Sequence, residues 1–410
     1  MVKAKAVDYD VTIVGGGMVG LATALSLAGE HCSVHLLEAG QPQQVLSNQH
    51  PSFDDRTLVV NPASRLFWQQ LGVWSDLAPL STAVNQVHVS QKGRFGSVQF
   101  DCDELQEDHL AHVIEAKVLG RTLWQQVTGH PHITLTAPAE LTQFSAGQSD
   151  VLIQYKSDSN QHSHRSGLMI AADGGRSFVR KKLALPTVTK NYHRTAIIAN
   201  VATEYPHNHC AYERLTKTGP MALLPFHDRF GLVWTLPTEQ AQEMLQAAES
   251  DFKAALQQAM GFRLGCITRL GQRSSYPLYR IDVPQQFKQR VLLMGNAAHT
   301  VSPVSAQGLN LGVRGIQRLK HVLTEAAHNG HDIGSDAVLA DYQQQSRPDQ
   351  QAILQYTDDL MTWFKLDQPV INGLRSLGLL AVDSSINLKR RFYQLAGGFS
   401  KVSSCKNTMS

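Results

Sequence analysis

The chain has 410 residues, of which 42% are hydrophobic and 17% charged, with a formal net charge of +3. That composition supports two or three globular domains with sizeable cores and excludes disordered, collagen-like and coiled-coil chains. So mild a charge predicts no nucleic-acid partner. The cysteines are Cys32, Cys102, Cys210, Cys266 and Cys405. Their odd number and wide spacing predict neither a disulfide framework nor a metal site, and favour a reducing, cytoplasmic setting. Met1–Asp10 lacks the apolar core of a signal peptide, and no run is apolar and long enough to predict a spanning helix.

Val11–Val14 is a short β-branched run that reads as a buried strand. Gly15-Gly16-Gly17-Met18-Val19-Gly20 follows at once, then a helix over Leu21–Ala28 and a second strand over Ser33–Glu38. This is one βαβ unit carrying Gly15-x-Gly17-x-x-Gly20. Gly15 permits the tight turn, Gly17 lets backbone N–H groups approach a pyrophosphate, and Gly20 lets helix and strand pack closely. Glu38 stands where a carboxylate accepts ribose hydroxyls, which disfavours a 2′-phosphate. The fingerprint alone does not separate NAD from FAD.

Residues 40–56, with Pro42, Pro51 and Asp54-Asp55-Arg56, read as a polar loop, and Thr57–Leu71 as mostly helical. Strands are predicted at Val84–Ser90 and Ser97–Phe100, and a helix at Ala116–Val127. Short strands follow at Ile133–Leu135, Gln143–Phe144 and Val151–Tyr155. Leu168–Ala172 is a buried strand ending in Asp173-Gly174-Gly175-Arg176-Ser177. Thr195–Val201, Met221–Pro225 and Phe230–Leu236 alternate like an antiparallel sheet, with His207-Asn208-His209-Cys210 read as a solvated loop. Val291–Met294 is a buried strand leading into Gly295-Asn296-Ala297-Ala298-His299. Leu309–Ala327 and most of Ala337–Phe364 read as helices, and the tail after Ser400 as polar and loose. There are no internal repeats.

The order α/β, β-rich, α/β, α predicts a discontinuous nucleotide-binding domain with an inserted sheet domain. Residues 1–75, 111–180 and 276–335 would form the first. Residues 76–110 and 181–275 would form the second, and 336–410 a C-terminal helical region.

Asp173-Gly174-x-x-Ser177, together with Gly295–His299, Pro303 and Gln307-Gly308-Leu309-Asn310, resembles the flavin-dependent aromatic hydroxylases in motif order and spacing. Four segments are similar to the ubiquinone-biosynthesis branch of that family, and within it to hydroxylases of 2-polyprenyl-6-methoxyphenol. They are Phe53–Arg56, Glu213–Pro225, Arg273–Leu278 and Thr357-Asp358-x-Leu360. Asn296 stands where the wider family has Asp, and Ala306 where it usually has Gly.

The resemblance implies an α/β fold with a Rossmann-like FAD-binding domain, an inserted mainly antiparallel substrate domain and C-terminal helices. It implies FAD held by Gly15, Gly17, Gly20, Glu38, Arg56, Asp173, Gly295, Asn296, Gly308, Leu309 and Asn310. NADPH or NADH would reduce it and O2 would give a C4a-hydroperoxide that hydroxylates the ring. Pro303, Gly308, Leu309 and Asn310 would form the catalytic segment, with the helix start facing the flavin. Met221, Leu223, Leu224 and Pro225 would form an apolar wall for a polyprenylated phenol, or plain sheet core. Arg56 would cover the pyrophosphate or flavin rim, or pair with Asp54. Asp173 would support its turn, and His299 would pack or orient rather than act as a base. No metal is implied.

A polyprenyl substrate further implies contact with the inner membrane or a place in a ubiquinone-biosynthesis complex. Trp363-Phe364, Leu374–Leu380 and Lys389-Arg390-Arg391 are the candidate surface, unless they form a buried helix or an oligomer contact. The alternative readings are a sister hydroxylase acting at another ring carbon, a flavin reductase or dehydrogenase, and a flavin-containing assembly subunit.

Overall fold

The computed structural model describes residues 7–41, 56–302, 306–363 and 369–398. Pro303, the Asp54-Asp55 pair and the tail after Ser400 lie outside the described residues.

The first sheet grows around β1 (Tyr9–Val14). β1 pairs in parallel with β2 (Val34–Leu37) on one side and β11 (Asn160–Ala171) on the other. The order is β18 (Phe287–Lys288), β19 (Val291–Leu293), β11, β1, β2, β8 (Ile133–Thr136), and β9 (Glu140–Ala146) and β10 (Val151–Ser157) extend β11 as an antiparallel ribbon. Both faces are covered, which is why these strands are continuous apolar runs. Val11, Ile13, Leu36, Leu168 and Ile170 pack beneath α1 (Met18–Leu27), α5 (Ala116–Thr128) and α9 (Gly308–His328). Met169, Ala171, Val291 and Leu293 alternate to the other face, against Val179 and Leu183 of α6 (Phe178–Leu183).

The second sheet runs β20 (His299–Thr300), β17 (Ser274–Asp282), β12 (Val188–Thr203), β15 (Arg229–Pro237), β14 (Gly219–Phe226), β13 (Cys210–Thr216), β5 (Gln86–Gln91), β6 (Ser97–Asp101), with β16 (Ile267–Leu270) beside β12. Its pairings are antiparallel except β13 with β5. Its outer face is cored by Ile197, Leu223, Leu232 and Trp234, which pack with Ala241 of α7 (Thr238–Gln246) and Phe252 and Leu256 of α8 (Glu249–Met260). Its inner face meets a third sheet, ordered β3 (Thr57–Val60), β7 (Ala111–Glu115), β4 (Thr82–Val84), through Leu224, Phe226, Val84 and Val113.

Three shorter helices are α2 (Pro62–Gln70), α3 (Trp74–Leu77) and α4 (Cys102–Leu105), and the C-terminal region is α10 (Asp336–Trp363), α11 (Pro369–Asp383) and α12 (Ile386–Ala396). The architecture is the expected one: a Rossmann-like α/β sheet, a mainly antiparallel second sheet and C-terminal helices. No described helix is long and apolar enough to cross a membrane. The four described cysteines are free thiols.

Two local readings need correction. Thr57–Val60 is a strand, with Thr57 opposite Glu115, and the helix begins only at Pro62, where the Asn61 side chain accepts the Ser64 N–H at 2.9 Å. The β-branched run takes the extended form and the Asn-Pro pair starts the helix. The segment from His207 to Cys210 is not a solvated loop throughout. His207 is buried against the His227 carbonyl at 2.7 Å, and Cys210 is buried at the start of β13.

Candidate active site

The glycine fingerprint forms the turn between β1 and α1. Gly15 has φ +107°, and a Cβ there would lie 2.6 Å from the Ala172 carbonyl oxygen. A Cβ on Gly20 would lie 1.9 Å from the Gly15 carbonyl oxygen. Glycine is required at both places. Gly17 caps α1 with no side-chain hydrogen bond, so the first-turn N–H groups remain available to an anion. Glu38, buried just beyond β2, accepts the N–H groups of Gly16 and Gly40, each at 2.5 Å. Asp173, just beyond β11, accepts the Val179 N–H at 3.1 Å through Oδ2, while its buried Oδ1 has no partner among the described residues. These groups lie at the carboxyl ends of β2, β1 and β11. There the chain leaves β1 toward β2 on one side and later returns to β11 on the other, the switch point where α/β sheets take ligands.

The second half of the site comes from the start of α9. Gly295, at φ +55°, brings its turn against Val19 of α1, where an added Cβ would lie 3.1 Å from Cγ1. Asn296 in the same turn is exposed. Ala306 takes the left-handed φ of +51° before the helix. Gln307 caps α9 without a side-chain bond, and its buried Oε1 has no partner among the described residues. Nothing crowds Gly308, and Leu309 joins the edge of the first core.

Asn310 is placed differently from a ligand-facing residue. It is 1% exposed, its Nδ2 donates to the Val59 and Ala306 carbonyls at 2.9 and 3.0 Å, and its Oδ1 accepts the Asn61 N–H at 3.2 Å. Its side chain fastens α9 to β3. Arg56 stacks over the Tyr276 ring, 4.7 Å from the centroid. His299 is buried, both ring nitrogens lack a hydrogen-bond partner among the described residues, and burial lowers its pKa to about 4 against the opposing pull of Asp282. It is neutral near pH 7.

The residues read as a substrate wall do not share one face. Met221 and Leu223 turn toward α8, Leu224 toward the third sheet, and buried Pro225 stands opposite Phe230. Strand alternation forces this split. The half-buried positions are instead Ala222, Val233 and Ile198, in register across β14, β15 and β12. They share the inner face with Gly231, where an added Cβ would lie 2.3 Å from the Thr57 Oγ1 of β3.

A glycine turn, an uncapped helix and an acidic strand end at a sheet switch point define a protein built for a dinucleotide-type cofactor. The chain belongs to the FAD binding domain family, whose model matches residues 8–357. It is an FAD-dependent aromatic hydroxylase of that family. It is similar to the ubiquinone hydroxylase UbiL of Rhodospirillum rubrum, 32% identical over 96% of this chain and 90% of the relative. It is also similar to the 3-demethoxyubiquinol 3-hydroxylase of Escherichia coli, 29% identical over 95% of this chain and 98% of that one. The fold matches p-nitrophenol 4-monooxygenase PnpA of Pseudomonas putida DLL-E4, with a TM-score of 0.79 at 18% identity, covering 96% and 98% of the two chains. The residues present fit FAD: the cradle admits no Cβ at Gly15 or Gly20, and among the described residues the buried Asp173 Oδ1, beside Gly15, and Gln307 Oε1, at the start of α9, have no hydrogen-bond partner.

Proposed function

We propose that the chain hydroxylates the aromatic ring of a polyprenylated phenol in ubiquinone biosynthesis, with a 2-polyprenyl-6-methoxyphenol as the substrate type. Bound FAD would supply electron transfer from NADPH or NADH and the activation of O2. The protein's own part is to bind, orient and exclude water. The α1 start and Gly17 would hold the pyrophosphate, Glu38 the ribose, and Asp173, Gly295 and Asn296 the middle of the cofactor. The backbone N–H groups of Gly308, Leu309 and Asn310 would face the ring system, their dipoles favouring the negative charge it gains on reduction.

The observation that supports the substrate class most is the half-buried row Ala222, Val233 and Ile198. It is an apolar surface on the sheet face turned toward β3 and, through Asn61 and Asn310, toward the start of α9. Two curated relatives named for ubiquinone or demethoxyubiquinol hydroxylation agree with it. The deciding experiment supplies purified protein with FAD, NADPH or NADH, 18O2 and a short-chain prenylated methoxyphenol. One 18O atom in the ring product, with phenol-dependent oxygen uptake, is expected. Reduced cofactor consumed with no labelled product overturns the reading.

Such a substrate resides in a membrane, and we propose that α11 and α12 dock on one. Leu377 and Leu380 of α11, and Leu388, Phe392 and Leu395 of α12, are exposed. The last three fall at i, i+4 and i+7, on one helix face. Arg390 and Arg391 beside them are exposed cations, which complement anionic lipid. Lys389 is not part of that charge: it is buried and paired with Glu104 at 2.9 Å and Asp383 at 3.3 Å.

A further inference from the structure

Glu213 breaks the pattern of the second sheet's inner face. Register carries one row across five strands: Val89 on β5, Glu213 on β13, Ala222 on β14, Val233 on β15 and Ile198 on β12. Four of these are apolar and half-buried. The fifth is a carboxylate. Its chain neighbours Tyr212 and Arg214 alternate to the opposite face, where they line a separate small cavity with His88, Met221, Leu223 and Met260. They are turned away from Glu213.

The Glu213 side chain is open to solvent, yet burial raises its pKa above the ordinary carboxylate value. On this face the third sheet covers Leu224 and Phe226, and α10 covers Ala196 through Met361, which leaves the row carrying the exposed Glu213 carboxylate in a recess between the two covers. Tyr356 of α10 shows the same combination. It is 54% exposed, and its hydroxyl is pushed up to about 12, first by burial and then by the Glu213 charge. The Glu213 charge acts on Tyr356, so the two groups lie near one another, Glu213 on the sheet and Tyr356 on the helix. Farther along α10, Met361 packs on Ala196 with Ile198 and Val233 beside it, which closes that end.

We propose that Glu213 is the residue that recognises the substrate's phenol, accepting its O–H in a hydrogen bond and so fixing which ring carbon faces the flavin, with Tyr356 of α10 near it. The proposal rests on the hydroxylase reading above. A carboxylate accepting the phenol O–H raises electron density at the ortho and para carbons, the positions an electrophilic oxygen attacks. One charged acceptor in an apolar recess also rejects a ring ether, which has no hydrogen to donate. Tyr356 stays protonated across the working pH range, so its hydroxyl keeps a proton to donate.

The test compares the FAD-bound wild type with Glu213→Gln and Tyr356→Phe. The probes are a short-chain prenylated methoxyphenol and its O-methyl ether, and binding is read from the flavin absorbance. FAD content stays unchanged in both variants. Wild type prefers the phenol. E213Q loses about 10- to 100-fold in phenol affinity, the scale of a charge-assisted hydrogen bond, and keeps its ether affinity. Y356F loses less. Wild-type phenol binding strengthens as pH rises through the Glu213 ionisation, and this limb is absent in E213Q. Val89 and Ala222 carry no titratable group and Tyr356 ionises near 12, so the limb reports Glu213. Wild-type phenol preference together with an intact limb in E213Q overturns the proposal and leaves the hydroxylase reading standing. A wild type that holds FAD but binds neither probe overturns both. If E213Q does not fold, the wild-type limb decides, and its absence overturns the proposal.

Discussion

A methyl group on Gly20 has nowhere to go, because the Gly15 carbonyl oxygen already stands 1.9 Å from its position. Gly20→Ala must push α1 off the end of β1, at a cost of about 3 kcal/mol, the upper range for overpacking. FAD content after purification should fall to near zero while far-ultraviolet circular dichroism persists, and a fully loaded G20A protein would count against this site. The buried histidines make a separate prediction. Burial, helped by the neighbouring His164, lowers the pKa of His35 to about 3, and burial lowers that of His299 to about 4. Both are about 6.5 in an unfolded chain. Below pH 6.5 the unfolded chain therefore binds protons that the native state refuses, so stability falls with decreasing pH down to the folded values. By pH 5 each should cost about 2 kcal/mol, at about 1.4 kcal/mol per pH unit. Urea midpoints at pH 7 and pH 5 check this, and equal midpoints would exclude it.

At the level of elements, two attachments hold α9 and they should separate in experiment. Asn310 ties its first turn to Val59, Asn61 and Ala306. Asp349 of α10 ties its middle, bonding Arg314 at 2.8 Å and Arg318 at 2.8 Å. Asp349→Ala leaves two buried guanidiniums unpaired and should cost about 3–5 kcal/mol of stability with FAD affinity nearly unchanged. Asn310→Ala should cost about 2 kcal/mol and weaken FAD as well, because the loosened turn is the one proposed to face the cofactor. Thermal midpoints and FAD titrations distinguish them; identical profiles for the two variants would refute the division. The βαβ unit, the glycine turn and α9 are legible in the residues, because apolar runs and glycine spacing are local signals. β3 is hidden because only Asn61 separates its four residues from a true helix at Pro62, so a strand this short is read as the helix's first turn. The approach to β13 is hidden because Asn208 and His209 adopt left-handed φ values of +47° and +58°, which no spacing announces. Glu213 escapes notice for a different reason: a charged residue on an alternating strand reads as solvent-facing until the register places it among Val89, Ala222 and Val233.

For the whole molecule, the decisive relation is between a cofactor site on a fold whose described helices do not span a membrane and the proposed lipid-borne substrate. The exposed leucines and phenylalanine of α11 and α12 have no cover among the described residues, while the same region is pinned to β6 of the second sheet by the Asp383 carboxylate accepting the Gln99 N–H at 3.0 Å and to α4 by the Lys389–Glu104 pair. That arrangement holds an apolar helix face rigidly at the edge of the sheet carrying the proposed substrate row. Burying an apolar side chain of this size stabilises by roughly 1.5–3 kcal/mol when complete, and an interfacial helix captures part of that for each. Substituting Leu388, Phe392 and Leu395 together with serine should therefore lower affinity for protein-free vesicles at least tenfold. Because the three side chains are already exposed at 38%, 51% and 62%, folding stability should change little. Replacing Arg390 and Arg391 with glutamine should weaken binding to anionic vesicles specifically, by about 1 kcal/mol per charge, and added salt should do the same. Turnover of a long-chain prenylated phenol in vesicles should fall in the serine variant while turnover of a short-chain analogue in detergent stays normal. Vesicle sedimentation and the two rate measurements decide the matter: wild-type vesicle affinity in the triple variant would mean that these helices meet a protein partner or another copy of the chain instead.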